Sequence, residues 1–331
     1  MPPPFHRHAG PERPTKPVAD SKSGKHGDAG QPGPATVVCL KAFGDFVIAC
    51  RAVRRVQGPS RSGAPRILAG AHLRVLAQAL GVRENVAFVN TGSEQDVPAA
   101  FDIRRRGWVG AARSLLQMRS ALTAARGDAR LVFDRLGWRE RIIAGSADSV
   151  GLPIATNIYS AYECLLSNAG YEIAAPAPAS NGALRSAIIV PASRIGAKTL
   201  PAETIRSVLE QLAALGIQAE VILLEGDVVQ MPPGMQARRI SRTFEALIDR
   251  VRRSDLVVSA DSLAAHLAEY LGRRSFVVAP RANIYWLPAD SLRSEGWTTF
   301  DRTTRLSSWL AGVLLERPTP GIASDGPGPQ G

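Results

Sequence analysis

Residues 255–272 read DLVVSADSLAAHLAEYLG. The first six are an apolar, β-branched run of strand length. The next twelve space their apolar side chains three and four apart and stop at Gly272, so the stretch is a buried strand entering a helix through Asp261 and Ser262. The same alternation extends on both sides. SAIIV (186–190), PAETIRSVLEQLAALG (201–216), AEVILL (219–224), ISRTFEALIDRVRR (240–253) and SFVVA (275–279) continue it as strand, helix, strand, helix and strand. Strands alternating with helices of this length build βαβ units around a parallel sheet.

The first half of the chain repeats the pattern less regularly. TVVCLK (36–41) is a buried strand and DFVIACRAVRRV (45–56) an amphipathic helix; RIL (66–68), NVAFV (85–89) and ARLVFD (129–134) are further strands, with helices over 108–125 and 160–170. A Pro, Ala and Ser stretch at 175–184 has no periodicity and serves as the linker. With 331 residues, more than a single core usually holds, the chain divides into halves at 36–178 and 179–316. Residues 1–35 hold eight prolines, five glycines and Phe5 as the only aromatic, too little apolar surface to offset the entropy of ordering. They and residues 317–331 are expected to be disordered tails.

Three cysteines, Cys39, Cys50 and Cys164, are too few and too scattered for a disulfide framework or a zinc site, which points to a reducing, cytoplasmic setting. No apolar stretch approaches the roughly 20 residues that span a bilayer. The formal charge of +11 suits an anionic partner: a phosphorylated substrate, an acidic membrane surface or nucleic acid. Nucleic-acid binding is disfavoured because no basic stretch carries interleaved aromatics. G-x-G-x-x-G is absent, GAKT (196–199) lacks the earlier glycine of a phosphate loop, and no D-x-D, H-E-x-x-H, C-x-x-C or G-x-S-x-G occurs. Dinucleotide oxidoreductases, P-loop nucleotidases and metal-bridged diphosphate sites lose their main support.

Ligands of open α/β sheets bind at the carboxyl ends of strands, which directs attention to three strand-to-helix junctions. In KAFGDFV (41–47), Gly44 suits a tight turn and Asp45 the start of a helix, either as a capping carboxylate or as a general base held at a cleft. In PASRIGAKTLPAE (191–203), Ser193, Arg194 and Lys198 precede a helix opened by Pro201, and a lysine there is unfavourable beside the macrodipole unless an anion joins them; the alternative is a lysine pointing into water. In the third junction Asp261 or Ser262 caps the helix, the free N–H groups of its first turn form an anion site, and His266 lies one turn in, as a ligand contact or as a packing residue.

These junctions, in this order and spacing, resemble glycosyltransferase family nine, the family of the lipopolysaccharide heptosyltransferases, over roughly residues 36–315. Its Gly-Asp pair after a strand is matched by Gly44 and Asp45. Its small-residue loop leading to Lys and Pro is matched by Ser193, Lys198 and Pro201. Its Asp-Ser/Thr-Gly-x-x-His-Leu-Ala motif, followed by a short helix and Gly, is matched by Asp261, Ser262, His266, Leu267, Ala268 and Gly272. The resemblance implies a GT-B fold of two Rossmann-like domains facing a cleft. It also implies an inverting transfer from a nucleotide-sugar donor to a saccharide or glycolipid acceptor, with no metal or other cofactor. Asp45 would then be the base, while Ser193, Arg194, Lys198, His266 and the backbone at Ser262, Leu263 and Ala264 would hold the donor phosphates, Glu225 or Asp227 the ribose, and Asp261 would belong to the same donor site. The sequence departs from the family at Leu263, where a Gly is usual, at Leu200, where a Trp is usual, and in PRANIYWLP (280–288), where a Gly-Pro-Thr loop is usual. A non-catalytic sugar-nucleotide-binding relative is the alternative that these departures keep open. Basic surface would suit an acceptor met at the cytoplasmic face of the membrane.

Overall fold

A computed structural model describes residues 34–57, 63–82, 84–90, 99–127, 129–176 and 183–315. The expected tails and the middle of the expected linker lie outside these residues, except that the first strand already begins at Ala35.

In the first half, besides a two-residue antiparallel pairing of Val56–Gln57 with Glu172–Ile173, the strands of the main sheet are β1 (Ala35–Cys39), β2 (Arg66–Gly70), β3 (Val86–Val89), β4 (Arg130–Phe133) and β5 (Ser149–Gly151). All pair in parallel, in the order β3-β2-β1-β4-β5. In the second half they are β6 (Ser186–Val190), β7 (Gln218–Leu224), β8 (Arg238–Ile240), β9 (Leu256–Ala260), β10 (Arg274–Ala279) and β11 (Trp297–Thr299). These are parallel too, in the order β8-β7-β6-β9-β10-β11. Each sheet therefore runs outward from its first strand in one direction and then reverses, the doubly wound order. The reversal leaves a crevice at β1/β4 and another at β6/β9.

The helices used below are α1 (Phe43–Arg54), α2 (Arg74–Leu80), α3 (Ile103–Ala125), α4 (Trp138–Ala144), α5 (Ile158–Asn168), α6 (Ala202–Ala214), α7 (Phe244–Arg253), α8 (Leu263–Tyr270), α9 (Ala289–Arg293) and α10 (Arg305–Leu315). Alternation along each central strand divides the interior into layers. On β1, Val37 and Cys39 face one core while Val38 faces another; on β6, Ile188 and Val190 face the first and Ile189 a third. The shared core joins the halves: the apolar residues from Phe46 to Val53 of α1, Tyr159 and Tyr162 of α5, Leu247 and Val251 of α7, and Leu267 and Ala268 of α8 belong to it. The outer layers are separate, Met118, Leu122 and Ile143 under the first sheet and Val208, Leu212, Leu306 and Leu310 under the second.

Ion pairs cross the shared layer. Arg51 of α1, 7 % exposed, pairs with Glu163 at 3.1 Å and with Glu269 of α8, and its guanidinium lies over the Tyr159 ring at 4.9 Å. A charge so deep is tolerated only when paired.

Several sequence expectations shift. The helix expected over 240–253 starts at Phe244, capped by Thr243, because Arg238–Ile240 is spent on edge strand β8. The helix expected over 261–272 occupies 263–270. β5, β8 and β11 are short polar edges that apolar periodicity does not reveal.

Candidate functional site

Three of the four strand ends at the two crevices carry the junctions singled out from the sequence, and the shared core brings them together. β1 ends at Cys39, and α1 begins at Phe43 with Ala42 as N-cap, whose side chain makes no capping bond. Asp45 is thus the third helical residue and not the cap. Its carboxylate has no hydrogen bond or ion pair among the described residues, so the capping role allowed by spacing is not realised. Gly44 is helical, and no left-handed turn requires it. What requires it is close approach: a Cβ there would stand 3.1 Å from His266 Cδ2.

Burial, and then the Asp134 carboxylate at the end of β4, push the Asp45 pKa up to about 7, with Lys41 and Arg194 pulling the other way. Lys41 holds Glu140 at 2.8 Å and Asp134 at 3.5 Å and lies 4.9 Å over the Phe101 ring. Burial opposes its charge, yet Asp134 and Glu140 together raise its pKa. A cavity of about 10 Å³, room for roughly one water sphere, lies among Lys41, Asp45, Asp134, Glu140 and Tyr162. An aspartate poised near neutrality beside a fixed cation has the properties of a general base.

The loop after β6 is tied by its own polar groups. Ser193 N–H donates to Thr199 Oγ1 at 3.2 Å, Ile195 N–H to Ser193 Oγ at 3.4 Å, and Leu200 N–H to Pro191 O at 3.0 Å. Leu200, 2 % exposed, anchors the loop in the core. Ser193 therefore supports the loop, while Arg194 is exposed and acts on Asp45 of the other half. Lys198 sits in a 3₁₀ turn, Gly196–Lys198, and reaches over to β9, where its Nζ lies 2.6 Å from Asp261 Oδ2.

Asp261 directly precedes α8. Ser262 is its N-cap, but the serine side chain makes no capping bond, and the N–H groups of Leu263 and Ala264 have no acceptor among the described residues. The positive end of α8 is open beside a lysine, the arrangement that binds an anion. Leu263 turns its side chain against the shared core and Ala264 is buried, so the larger residue does not cover the helix start. His266 is buried, and its Nδ1 lies 2.9 Å from the Tyr159 hydroxyl of α5. Burial pushes its pKa down to about 4, Lys198 adding to the effect and Asp261 opposing it; the imidazole is neutral near pH 7.

Two expected residues stand apart. Glu225 is exposed past the end of β7, and among the described residues only its backbone is engaged, accepting from Arg242 at 2.6 Å and donating to Ile240 O at 2.9 Å. Asp227 is occupied locally, accepting from Leu224 N–H at 3.0 Å and from Arg242 at 2.6 Å.

The 280–288 loop crosses to the first half. Asn157, the N-cap of α5, accepts from Tyr159 N–H at 2.9 Å and donates to Ile284 O at 3.1 Å and Leu287 O at 2.8 Å. Tyr285 is within electrostatic reach of Asp134, which, after burial, raises its pKa. Sequence reasoning missed Lys41, Asp134, Asn157 and Tyr159. Of these only Asn157, a capping residue just before an apolar run, leaves a signal in the sequence.

A larger cavity of about 900 Å³ lies between the C-terminal ends of α1 and α8, lined among others by Arg54, Arg55, Tyr270 and Arg273. It touches none of the expected site residues, and arginines there complement the negative ends of helices.

No protein-family model and no curated protein matches the chain. Solved structures do. E. coli heptosyltransferase WaaC with ADP is similar at a TM-score of 0.55 and 14% identity over 86% of this chain and 99% of that one. The glycosyl transferase family 9 protein from Veillonella parvula DSM 2008 is similar at 0.54 and 12% over 86% and 98%. E. coli ADP-heptose lps heptosyltransferase II is similar at 0.52 and 12% over 85% and 98%. At such identities the likeness is one of architecture, and with two doubly wound parallel sheets it shows that this chain has the GT-B fold of those glycosyltransferases.

Proposed function

We propose that the chain is an inverting glycosyltransferase that moves a heptose-like sugar from a nucleotide-sugar donor to a hydroxyl of a saccharide or glycolipid. The observation that carries the reading is the meeting of Gly44 and His266. It sets a carboxylate poised near neutrality beside an open helix start with its lysine, although the two lie more than 200 residues apart in sequence.

The donor diphosphate lies at the N–H groups of Leu263 and Ala264, with Lys198 and Arg194 supplying compensating positive charge, and no metal ion is invoked. Binding takes Lys198 from Asp261, its partner in the free protein. Asp45 accepts the acceptor hydroxyl's proton while the new C–O bond forms and the bond to the diphosphate breaks; one displacement inverts the anomeric centre. Residues 36–178 serve as the acceptor domain and 179–316 as the donor domain. Glu225, whose carboxylate has no partner among the described residues, is better placed for a ribose than Asp227. The +11 charge suits an acceptor presented at an acidic membrane surface, reached from the water side; among the described residues no helix is long and apolar enough to cross a membrane.

ADP-heptose is the first donor to try, because a similar E. coli enzyme was solved with ADP-2-deoxy-2-fluoro heptose. A true donor at 100 times its dissociation constant adds about 2.7 kcal/mol of stability. Lys198→Ala should weaken its binding by about 10 to 150-fold, the loss of one charge-assisted contact. Equal affinity in the variant and the parent, by calorimetry, removes the diphosphate from this site.

A further inference from the structure

His266 is neutral near pH 7, so one ring nitrogen carries a hydrogen and the other a lone pair. Nδ1 faces the Tyr159 hydroxyl at 2.9 Å. The direction of that bond follows from what each alternative leaves unused. If Nδ1 donated, the Tyr159 proton, buried with its ring, would have no acceptor among the described residues, and a buried donor left unpaired is costly. If Tyr159 donates, both atoms are satisfied and the hydrogen sits on Nε2. That edge of the ring faces Gly44, has no partner among the described residues and is not among the sealed orphan atoms. Burial keeps the phenol protonated, so the donor is permanent.

Tyr159 belongs to the half that carries Asp45, and His266 to the half that carries Lys198. Their bond is made only when the halves meet, and the same turn of α5 holds the 280–288 loop through Asn157. The ring of Tyr159 is itself fixed beneath Arg51. We infer that Tyr159 is a positioning residue: across the two halves it orients His266 as an Nε2–H donor facing the cleft beside Lys198, for an oxygen of the departing diphosphate. The inference rests on the glycosyl-transfer reading for the identity of that oxygen, and on this structure alone for the orientation of the ring.

The test is a long-range ¹⁵N–¹H correlation at pH 7 on protein labelled at histidine nitrogen, with His266→Gln identifying the signal among the five histidines. The parent should show a protonated Nε2 and an Nδ1 that accepts a hydrogen bond. Tyr159→Phe, which keeps the ring and removes the hydroxyl, should move Nδ1 to the position of a free acceptor. It should also weaken ADP binding by about 3 to 10-fold through a misaligned donor. A protonated Nδ1 in the parent overturns the inference whether or not the variant folds. So does an Nδ1 signal or an ADP affinity unmoved in folded Tyr159→Phe. Failure of the parent to bind ADP refutes the donor-site reading, while the nitrogen signals still decide whether Tyr159 orients His266.

Discussion

Gly44 of α1 lies against His266 of α8 so closely that a methyl group on its Cα would stand 3.1 Å from the imidazole Cδ2. Ala at this helical position gains up to about 1 kcal/mol of propensity, which offsets part of an overpacking cost of about 1 to 3 kcal/mol; where the imidazole gives way easily the cost lies at the low end and the two nearly cancel. The imidazole is what yields, by a few tenths of an ångström, and it is also the group proposed to meet the diphosphate. Gly44→Ala should therefore melt within a few degrees of the parent while its turnover falls about 10-fold. A variant that melts normally and turns over normally shows that the contact only fills space.

Asp45 combines a kinetic and a thermodynamic expectation, and both have a definite sign. As the proposed general base it works ionised, so turnover should climb with pH through about 7, and Asp45→Asn should lose at least about 100-fold of turnover. Its pKa is raised on folding from 3.8 to about 7, by burial first and Asp134 second. The folded chain thus holds the proton more tightly than the unfolded chain. The stability linked to that proton is full below about 3.8 and is lost as pH rises through about 7. Asp45→Asn escapes this loss. It should be more stable than the parent at pH 8, by about 1 to 2 kcal/mol after solvent screening, and no more stable at pH 4. Denaturant melts at the two pH values decide; a variant that is less stable at pH 8 contradicts the buried, uncapped carboxylate seen here.

The central strands were legible because their environment is uniform. SAIIV, AEVILL and DLVVSA are buried on both faces, and continuous apolar runs are what such burial selects. The edges were not: Arg238–Ile240, Ser149–Gly151 and Trp297–Thr299 form strands because a neighbour offers a free edge, which no local pattern encodes. The site divides in the same way. Lys198 and Asp261 stand at strand ends that the sequence marks, but their 2.6 Å pairing follows from β6 and β9 being neighbours, and that is a matter of sheet order. Asp45 could be placed at a helix start, yet only the structure shows it beyond the cap and beside Asp134. Tyr159 and Lys41 lie within ordinary amphipathic or polar text, and their roles come from the opposite half or from a distant strand.

The latch at Asn157 allows two substitutions to be set against each other. Its side-chain oxygen caps α5 and its amide donates to two carbonyls of the 280–288 loop, all at 1 % exposure. Asn157→Ala loses the cap and both donors, at about 2 to 4 kcal/mol. Asp is as good a cap as Asn, so if capping were the whole role, Asn157→Asp would be nearly neutral. The two loop carbonyls reverse that order: an ionised carboxylate would face the Ile284 and Leu287 oxygens with no hydrogen to give, in a site without solvent to spread the charge. Asn157→Asp should therefore be less stable than Asn157→Ala at pH 7. The introduced carboxyl should regain ground as pH falls, because its protonated form can donate to one carbonyl, and its pKa in the folded chain is raised above the unfolded value. Chemical denaturation of both variants at pH 7 and pH 5 checks the order and its pH dependence. An Asp variant that equals the parent at pH 7 would leave the loop unlatched and its placement beside Asp134 unexplained.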